Sequence, residues 1–196
     1  IEFLKTRPMD RPFFLMLHHK APHRNWVPDE RNAARFAAVD PPQPATLRDD
    51  YATRPAALPD NRQTIARDLT RKDLKQDPPE GLAGDELLAW KYRRYMQDYL
   101  ACVQGVDDSV GRMLDFLDQA GLGENTVVLY TTDNGWYMGE HGLYDKRFMY
   151  EPGLRVPLVA RGPGVKPGIV PTQFVANIDL APTFLDLAGV PVPDWM

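Results

Sequence analysis

A short apolar run that ends in a polar turn decides the fold of this chain: residues 125–135 read NTVVLYTTDNG. The run over 126–132 is continuous and rich in β-branched residues, a pattern typical of a strand buried on both faces. Open α/β sheets bind their ligands just beyond the carboxyl ends of such strands. Asp133, Asn134 and Gly135 occupy that position, so the same stretch predicts both an α/β fold and a candidate site.

The flanking segments supply further elements of an α/β structure. Apolar residues recur every three or four positions from about 85 to 119, which predicts one long amphipathic helix packed against the sheet. Phe13–Leu17 and Val156–Ala160 are short apolar runs, and we expect both to be strands of that sheet. Asp179–Leu187 predicts a short helix capped by Asp179. The order of the elements indicates a mainly parallel sheet flanked by helices.

Proline marks the boundaries of regular structure. It breaks helices and central strands, so the proline-free stretch from Glu80 to Glu151 should hold the long elements. Residues 21–84 are rich in Pro, Asp and Arg with little periodicity, which predicts a long loop-rich excursion over the surface with short helical pieces. A chain of 196 residues can bury a sizeable core, and we expect a single domain over residues 1–196 with no second domain.

The composition excludes several classes of function. The chain carries 23 Lys and Arg against 27 Asp and Glu, a net charge of −4, and its scattered basic residues give no footprint for nucleic acid or an anionic membrane surface. The longest apolar run, Phe13–Leu17, is far shorter than the roughly 20 residues of a membrane helix. Cys102 stands alone, so neither an intrachain disulfide nor a multi-cysteine metal site is expected. We therefore expect no nucleic-acid partner and no membrane partner.

The turn after the strand suits a hard metal ion. Asp133 and Asn134 offer oxygen ligands, which favour Ca²⁺ or Mg²⁺, and Gly135 allows a tight backbone turn. An ordinary Asx or type I′ turn would use the same three residues. The neighbouring sequence favours a site, because His141 and Lys146 follow within 13 residues of Asp133 in a glycine-rich loop. Lys146 is a point charge suited to a sulfate or phosphate oxygen.

A third part of the candidate site comes from the start of the excursion. His23 follows the first predicted strand and is expected at the same edge of the sheet, although a loop histidine bonded to the backbone would look the same. Arg24, Trp136 and Arg147 suit the walls of a pocket for a sulfated sugar, and they suit an ordinary surface equally well.

Three ordered segments resemble matching stretches of the type I sulfatases, a family within the alkaline-phosphatase superfamily. They are residues 20–24 (KAPHR), residues 106–112 (VDDSVGR), and residues 133–151 followed by RVPL at 155–158. The resemblance covers essentially the whole chain and is nearest to sulfatases of glycosaminoglycan-type sugars, such as N-acetylglucosamine-6-sulfatases. It implies an alkaline-phosphatase-like, mainly parallel sheet flanked by helices, and a periplasmic, secreted or lysosomal-type compartment.

The resemblance also implies roles for individual residues. Asp133 and Asn134 become two ligands of the family's Ca²⁺, and Lys146 contacts the sulfate. His23 contacts the sulfate too or protonates the leaving alcohol. His141 binds substrate or holds the loop. The expected substrate is a sulfated carbohydrate.

Other parts of the family's site are expected outside this chain. Sulfatases use a formylglycine made from cysteine in a Cys-x-Pro-Ser-Arg motif, and two early acidic metal ligands, all upstream of residue 1. Cys102 lies on a predicted buried helix face and is expected to be a core residue, while Asp107 and Asp108 fall in mid-helix as surface or packing groups. We therefore expect a central and C-terminal portion of a catalytic domain, inactive alone, whose partner is the missing amino-terminal part.

Two alternatives remain open from the sequence. A phosphodiesterase or phosphonate-ester hydrolase of the same superfamily would share the fold and the metal. A noncatalytic carbohydrate- or partner-binding module would retain the half-site without a reaction to perform.

Overall fold

A single long helix organises the computed structural model, which describes residues 1–196. Helix α5 runs over Gly84–Gln119, 36 residues, which corresponds to about 54 Å. Acidic residues occupy its first turn, where they complement the helix dipole. One side of α5 is buried, including Tyr92, Tyr95, Met96 and Cys102. The helix predicted from about 85 to 119 is confirmed.

Shorter helices precede and follow α5. They are α1 (Glu2–Thr6), α2 (Glu30–Phe36), α3 (Ile65–Asp68), α4 (Arg71–Leu74), α6 (Glu151–Leu154) and α7 (Leu180–Leu187), with 3₁₀ turns at Gly123–Asn125, Glu140–Gly142 and Asn177–Asp179. Asp179 stands at the N-cap of α7 as predicted, but its carboxylate accepts a hydrogen bond from the Ala176 N–H instead of capping α7. None of the helices combines the length and the apolar character needed to cross a membrane.

The strands form two small antiparallel pairs instead of the mainly parallel sheet that we predicted. Strand β1 (Val128–Thr131) pairs with β4 (Leu158–Arg161), in a register that places Val128 opposite Arg161. Strand β2 (Tyr137–Met138) pairs with β3 (Tyr144–Asp145). The strands predicted at 126–132 and 156–160 are confirmed as β1 and β4, but they pair with each other in the antiparallel direction.

The predicted strand Phe13–Leu17 is not formed. These residues adopt no regular structure, and their backbone groups make no backbone hydrogen bond. A strand requires a neighbour for its ladder, and no strand of this chain lies alongside residues 13–17. The segment therefore has the apolar pattern of a buried strand, but it is not buried as one.

The core lies between α5 and the excursion rather than between α5 and a sheet. The principal cluster consists of Trp26, Leu47, Ile65, Leu69, Leu74, Tyr92, Tyr95, Met96, Cys102 and Tyr144. Helix α5 makes its main contacts with α2, α3 and α4, all of which belong to residues 21–84. The excursion contains the expected short helices, but it supplies half of the core because its scattered apolar side chains pack inward. By contrast, every residue of β4 is exposed.

Candidate active site

The side chain of Trp136 brings two predicted catalytic residues together. The His23 ring lies 6.4 Å from the Trp136 ring, centroid to centroid, and the Lys146 Nζ lies 5.2 Å from a Trp136 ring centroid. Trp136 is itself fixed, because its Nε1 donates a 2.6 Å hydrogen bond to the hydroxyl of Tyr95 and its ring stacks on Tyr99. The structure therefore places His23 and Lys146 near the same aromatic ring, which is itself held by Tyr95 and Tyr99.

The turn before Trp136 is held by close backbone packing. A Cβ on Gly135 would lie 2.1 Å from the Pro152 carbonyl oxygen, so only glycine fits there. The Gly135 N–H donates to the carbonyl of Gly153 at 3.1 Å, which ties the turn to α6. The carbonyl of Asp133 accepts a 3.1 Å hydrogen bond from Asn177. These contacts fix the direction in which the turn presents its side chains.

The donor set of this turn fits a hard cation. The exposed Asp133 carboxylate makes no hydrogen bond or ion pair, and the Asn134 amide nitrogen donates to the Gly135 carbonyl at 2.7 Å, which leaves the Asn134 amide oxygen free. Two free oxygens suit Ca²⁺ or Mg²⁺, but Ca²⁺ takes six to eight. No group of three or more His, Cys, Asp or Glu side chains in the chain gathers around a common point. The residues present fit part of a coordination sphere.

The backbone around Lys146 is held by Gln63. The Gln63 side-chain amide donates to the carbonyl of Tyr144 at 2.9 Å and to that of Lys146 at 3.1 Å, and its oxygen accepts from the Arg147 Nε at 2.8 Å. The Lys146 ammonium remains 3.7 Å from the buried carboxylate of Asp145. The Arg147 side chain is exposed, and its guanidinium lies 3.6 Å from the same Asp145 carboxylate; its predicted contact with substrate stays a prediction.

His141 contacts the excursion rather than Trp136. Its ring Nδ1 lies 2.6 Å from Asp49 Oδ2. Its backbone N–H donates to the Thr46 hydroxyl at 3.1 Å, and its backbone carbonyl accepts from the Tyr51 hydroxyl at 2.5 Å. The Tyr51 N–H and the bond from His141 hold the pKa of Asp49 below its usual value, so the carboxylate is charged. These contacts favour the second of the two predicted roles for His141, that of holding the loop.

Arg24 is bound by the protein itself. Its guanidinium forms a bidentate pair with Asp73, with Nε to Oδ1 at 2.7 Å and Nη2 to Oδ2 at 2.9 Å. It also donates to Asp68 at 3.0 Å and to the Tyr144 hydroxyl. The hydrogen bond to Asp73 raises the pKa of Arg24 further above its already high value, against the effect of burial. The predicted contact of Arg24 with substrate stays a prediction, and most of its donors are already in use.

Three residues that the sequence analysis placed outside the site are core or surface groups. Burial raises the pKa of the Cys102 thiol to about 11, so Cys102 is the core residue that we predicted. Asp108 accepts hydrogen bonds from Asn32 and Gln104, and Asp107 accepts one from Gln104. Asp107 and Asp108 therefore fit the surface and packing roles that we expected.

Sequence reasoning missed the residues that hold the site in place. Gln63, Asp68 and Asp73 lie in the excursion, outside every motif that indicates chemistry, and Tyr144 lies within the motif of residues 133–151 but was not singled out. Within the excursion the only available signal was the spacing of Thr70 and Asp73, which form a capping box at the start of α4. That spacing predicts a helix start but gives no indication of Arg24 as the partner.

Comparison with known proteins assigns the family. The chain belongs to the sulfatase family, because the family model described as Sulfatase matches residues 1–190. It is 39% identical to an N-acetylglucosamine-6-O-sulfatase of Bacteroides thetaiotaomicron, over 98% of this chain and 42% of the relative. It is 33% identical to the human N-acetylglucosamine-6-sulfatase, over 96% of this chain and 31% of the relative. The resemblance inferred from the motifs is confirmed.

A solved structure gives the same assignment. The structure of BT4656 in complex with its substrate D-glucosamine-2-N,6-O-disulfate matches this chain with a TM-score of 0.93 and 39% identity, covering 98% of this chain and 47% of that one. The α/β fold class of the sulfatases therefore applies. The chain spans less than half the length of the relatives that it matches.

Proposed function

We propose that this chain is part of a sulfuric-ester hydrolase that acts on 6-sulfated glucosamine sugars of the glycosaminoglycan type. The observation that carries the proposal is the convergence of His23 and Lys146 on the ring of Trp136, which follows Asp133 and Asn134 closely in the chain. The N-acetylglucosamine-6-sulfatase names of the relatives and the sulfated glucosamine in BT4656 support the substrate class.

Lys146 supplies charge to the sulfate. Its ammonium is a point donor that can approach a sulfate oxygen while Gln63 holds its backbone in place. Negative charge develops on the departing oxygen as the S–O bond breaks. A positive group already in place near the sulfate stabilises that charge without reorganisation. The exposed Arg147 adds a second positive group at the rim, and the Trp136 ring offers an apolar wall to a sugar ring.

The hydrogen bond of His23 defines which of its ring nitrogens is free. Its Nδ1 lies 2.7 Å from the Arg24 carbonyl, and a carbonyl only accepts, so Nδ1 carries a proton. Nε2 is then the atom directed away from the backbone. In the imidazolium form Nε2 donates, either to a sulfate oxygen or to the oxygen of the leaving alcohol.

Two further components complete the proposed enzyme. Asp133 and Asn134 would hold a Ca²⁺ ion, which supplies Lewis-acid stabilisation of the sulfate when bound. The formylglycine nucleophile belongs to the amino-terminal part of the family's domain. We infer that this part pairs with residues 13–17 in a larger, mainly parallel sheet, because this segment has the sequence of a buried strand while its backbone is unpaired and Phe14 and Met16 are 61% and 63% exposed.

The test is complementation. The amino-terminal part of a full-length relative, with its cysteine converted to formylglycine, is produced together with this chain. We expect Ca²⁺-dependent hydrolysis of an aryl sulfate and of 6-sulfated N-acetylglucosamine by the pair, and no hydrolysis by the chain alone. Lys146→Ala should lower kcat/KM by about a hundredfold or more. Sulfate hydrolysis by the chain alone, or full activity of Lys146→Ala, would refute the proposal.

A further inference from the structure

Arg24 connects the two segments that carry the candidate catalytic groups. It directly follows His23 in the chain, and its guanidinium reaches the hydroxyl of Tyr144, which lies two residues before Lys146. The Tyr144 hydroxyl donates onward to Asp68, which also accepts from Arg24. The Arg24 guanidinium and the Tyr144 phenol thus join the loop of His23 to the strand that leads into Lys146.

The carboxylate of Asp73 fixes the orientation of the guanidinium. Its side chain is only 2% exposed, and the bidentate pair with Arg24 sets both the distance and the plane of the guanidinium. Asp73 also accepts from the Asn25 side chain at 2.8 Å and from the Thr70 N–H at 3.0 Å. Because Asp73 is anchored to α4, the loop that carries His23 and Arg24 is anchored there as well.

Tyr144 is anchored from the other side. Its side chain is buried, and its ring packs edge-on against Trp26 at 6.0 Å and Tyr95 at 6.2 Å. Tyr95 in turn receives the hydrogen bond from Trp136. Burial raises the pKa of Tyr144, and its bond to Asp68 raises it further, so the hydroxyl keeps the proton that it donates.

The network occupies four of the five N–H donors of Arg24. Movement of the guanidinium toward a sulfate would leave the buried carboxylate of Asp73 without its partner, which is strongly unfavourable. The contacts of Arg24 therefore suit a fixed structural link and do not suit a mobile substrate ligand.

We propose that Arg24 is a positioning residue that, through Asp73, Asp68 and Tyr144, sets the separation of His23 and Lys146 across the Trp136 ring. This inference rests on the proposed function, because it assigns a purpose to that separation. It replaces direct substrate binding as the role of Arg24.

The first test uses the 196-residue chain itself. The chain contains four histidines, so labelling their ring Cε1 with ¹³C gives four signals, which His→Gln variants assign. Tyr144→Phe keeps the packed ring and removes only the hydroxyl, which bonds to Arg24 and Asp68 and not to His23. We expect Tyr144→Phe and Arg24→Lys to move the His23 signal, because its distance to the Trp136 ring changes, and to leave those of His18, His19 and His141 in place.

A matched control separates this effect from general loss of a charge. Asp77→Asn removes an exposed ion pair with Arg71, which lies in α4 as Asp73 does. This change should leave all four signals unchanged. Asp73→Asn should move the His23 signal further than Tyr144→Phe does. An unchanged His23 signal in a folded Tyr144→Phe variant would overturn the inference, even if Asp73→Asn fails to fold.

The second test is kinetic and uses the complemented enzyme. Tyr144→Phe and Arg24→Lys should lower kcat by about tenfold to a hundredfold with little change in KM, as expected from displaced catalytic groups. A raised KM for Arg24→Lys with normal Tyr144→Phe kinetics would instead assign Arg24 to substrate binding and overturn the inference. Absence of sulfate hydrolysis in the unsubstituted pair would refute the proposed function, while the histidine signals would still decide the positioning role.

Discussion

Residues 21–145, the packed region, and residues 146–196, the open region, differ sharply in burial. The packed region contains the ten-residue core cluster and the ion network of Arg24, whereas no residue after Asp145 is buried. Phe174, Ile178 and Trp195 in the open region are each more than 80% exposed. One region completes its own core, while the other presents apolar surface that a larger sulfatase domain would cover.

The candidate site lies at the boundary between the two regions. His23 and Trp136 belong to the packed region, while Lys146 and Arg147 are the first two residues of the open region. The candidate site is thus supported by the packed region on one side and bordered by the open region on the other.

The largest expected effect is the loss of a central core side chain. Trp26 is fully buried and packs against Tyr95 at 4.5 Å between ring centroids. Trp26→Ala should reduce the free energy of unfolding by about 3–5 kcal/mol, measured by urea denaturation. Trp195→Ala in the open region is the control and should change it by less than about 0.5 kcal/mol. Equal effects of the two changes would contradict the division into regions.

A smaller effect is expected where the turn of the site meets the open region. Gly135→Ala places a methyl group against the Pro152 carbonyl and should destabilise the chain by about 1–3 kcal/mol. Gly111→Ala lies in α5 with open space around its Cβ and should stabilise the chain by about 0.5–1 kcal/mol. Thermal unfolding of both variants checks the pair. A neutral Gly135→Ala would show that the turn is not held against α6.

Acid should weaken the packed region through its carboxylates. Burial works to raise the pKa of Asp73, but the hydrogen bonds from Arg24 and Thr70 outweigh it and hold this pKa below its usual value. The stabilisation is therefore present above about pH 4, near the ordinary pKa of Asp, and is lost as the pH falls through the lower folded-state value. Urea denaturation across this range should show a shallower loss for Asp73→Asn than for the unsubstituted chain. Identical profiles would exclude Asp73 as a source of acid sensitivity.

The smallest effect on stability is expected on the exposed strand β4. Val159 is 61% exposed, so Val159→Lys should alter the free energy of unfolding by less than about 0.5 kcal/mol. The same change should weaken association with the amino-terminal part, measured by titration of one purified part into the other. Undiminished association would show that this face of β4 is not the surface that the partner covers.

The sequence predicted elements better than it predicted their neighbours. The helical period from 85 to 119 gave α5, and two apolar runs gave β1 and β4, because each pattern is local. Phe13–Leu17 has the composition of a buried strand but finds no partner here, and composition cannot specify which strand lies alongside. The antiparallel pairing of β1 with β4 was missed for the same reason.

The site shows the same limit. Asp133, Trp136 and Lys146 were predicted because they lie close together in the chain near a strand end, and His23 was predicted because it follows an apolar run. Gln63 and Asp73 contact the site from 83 and 49 residues away along the chain, and ordinary side-chain types at such separations leave no local pattern. The predicted contact of Arg24 with substrate stays untested, and the contacts that hold its guanidinium gave no local pattern either.

The most direct test of the central claim is the ratio of kcat/KM for a sulfate ester to that for the matching phosphate ester, measured on the complemented enzyme with Ca²⁺ present. We predict a clear preference for the sulfate ester, and loss of sulfate hydrolysis in Lys146→Ala. A clear preference for the phosphate ester would contradict the assignment of a sulfuric-ester hydrolase while leaving the fold and the family unchanged.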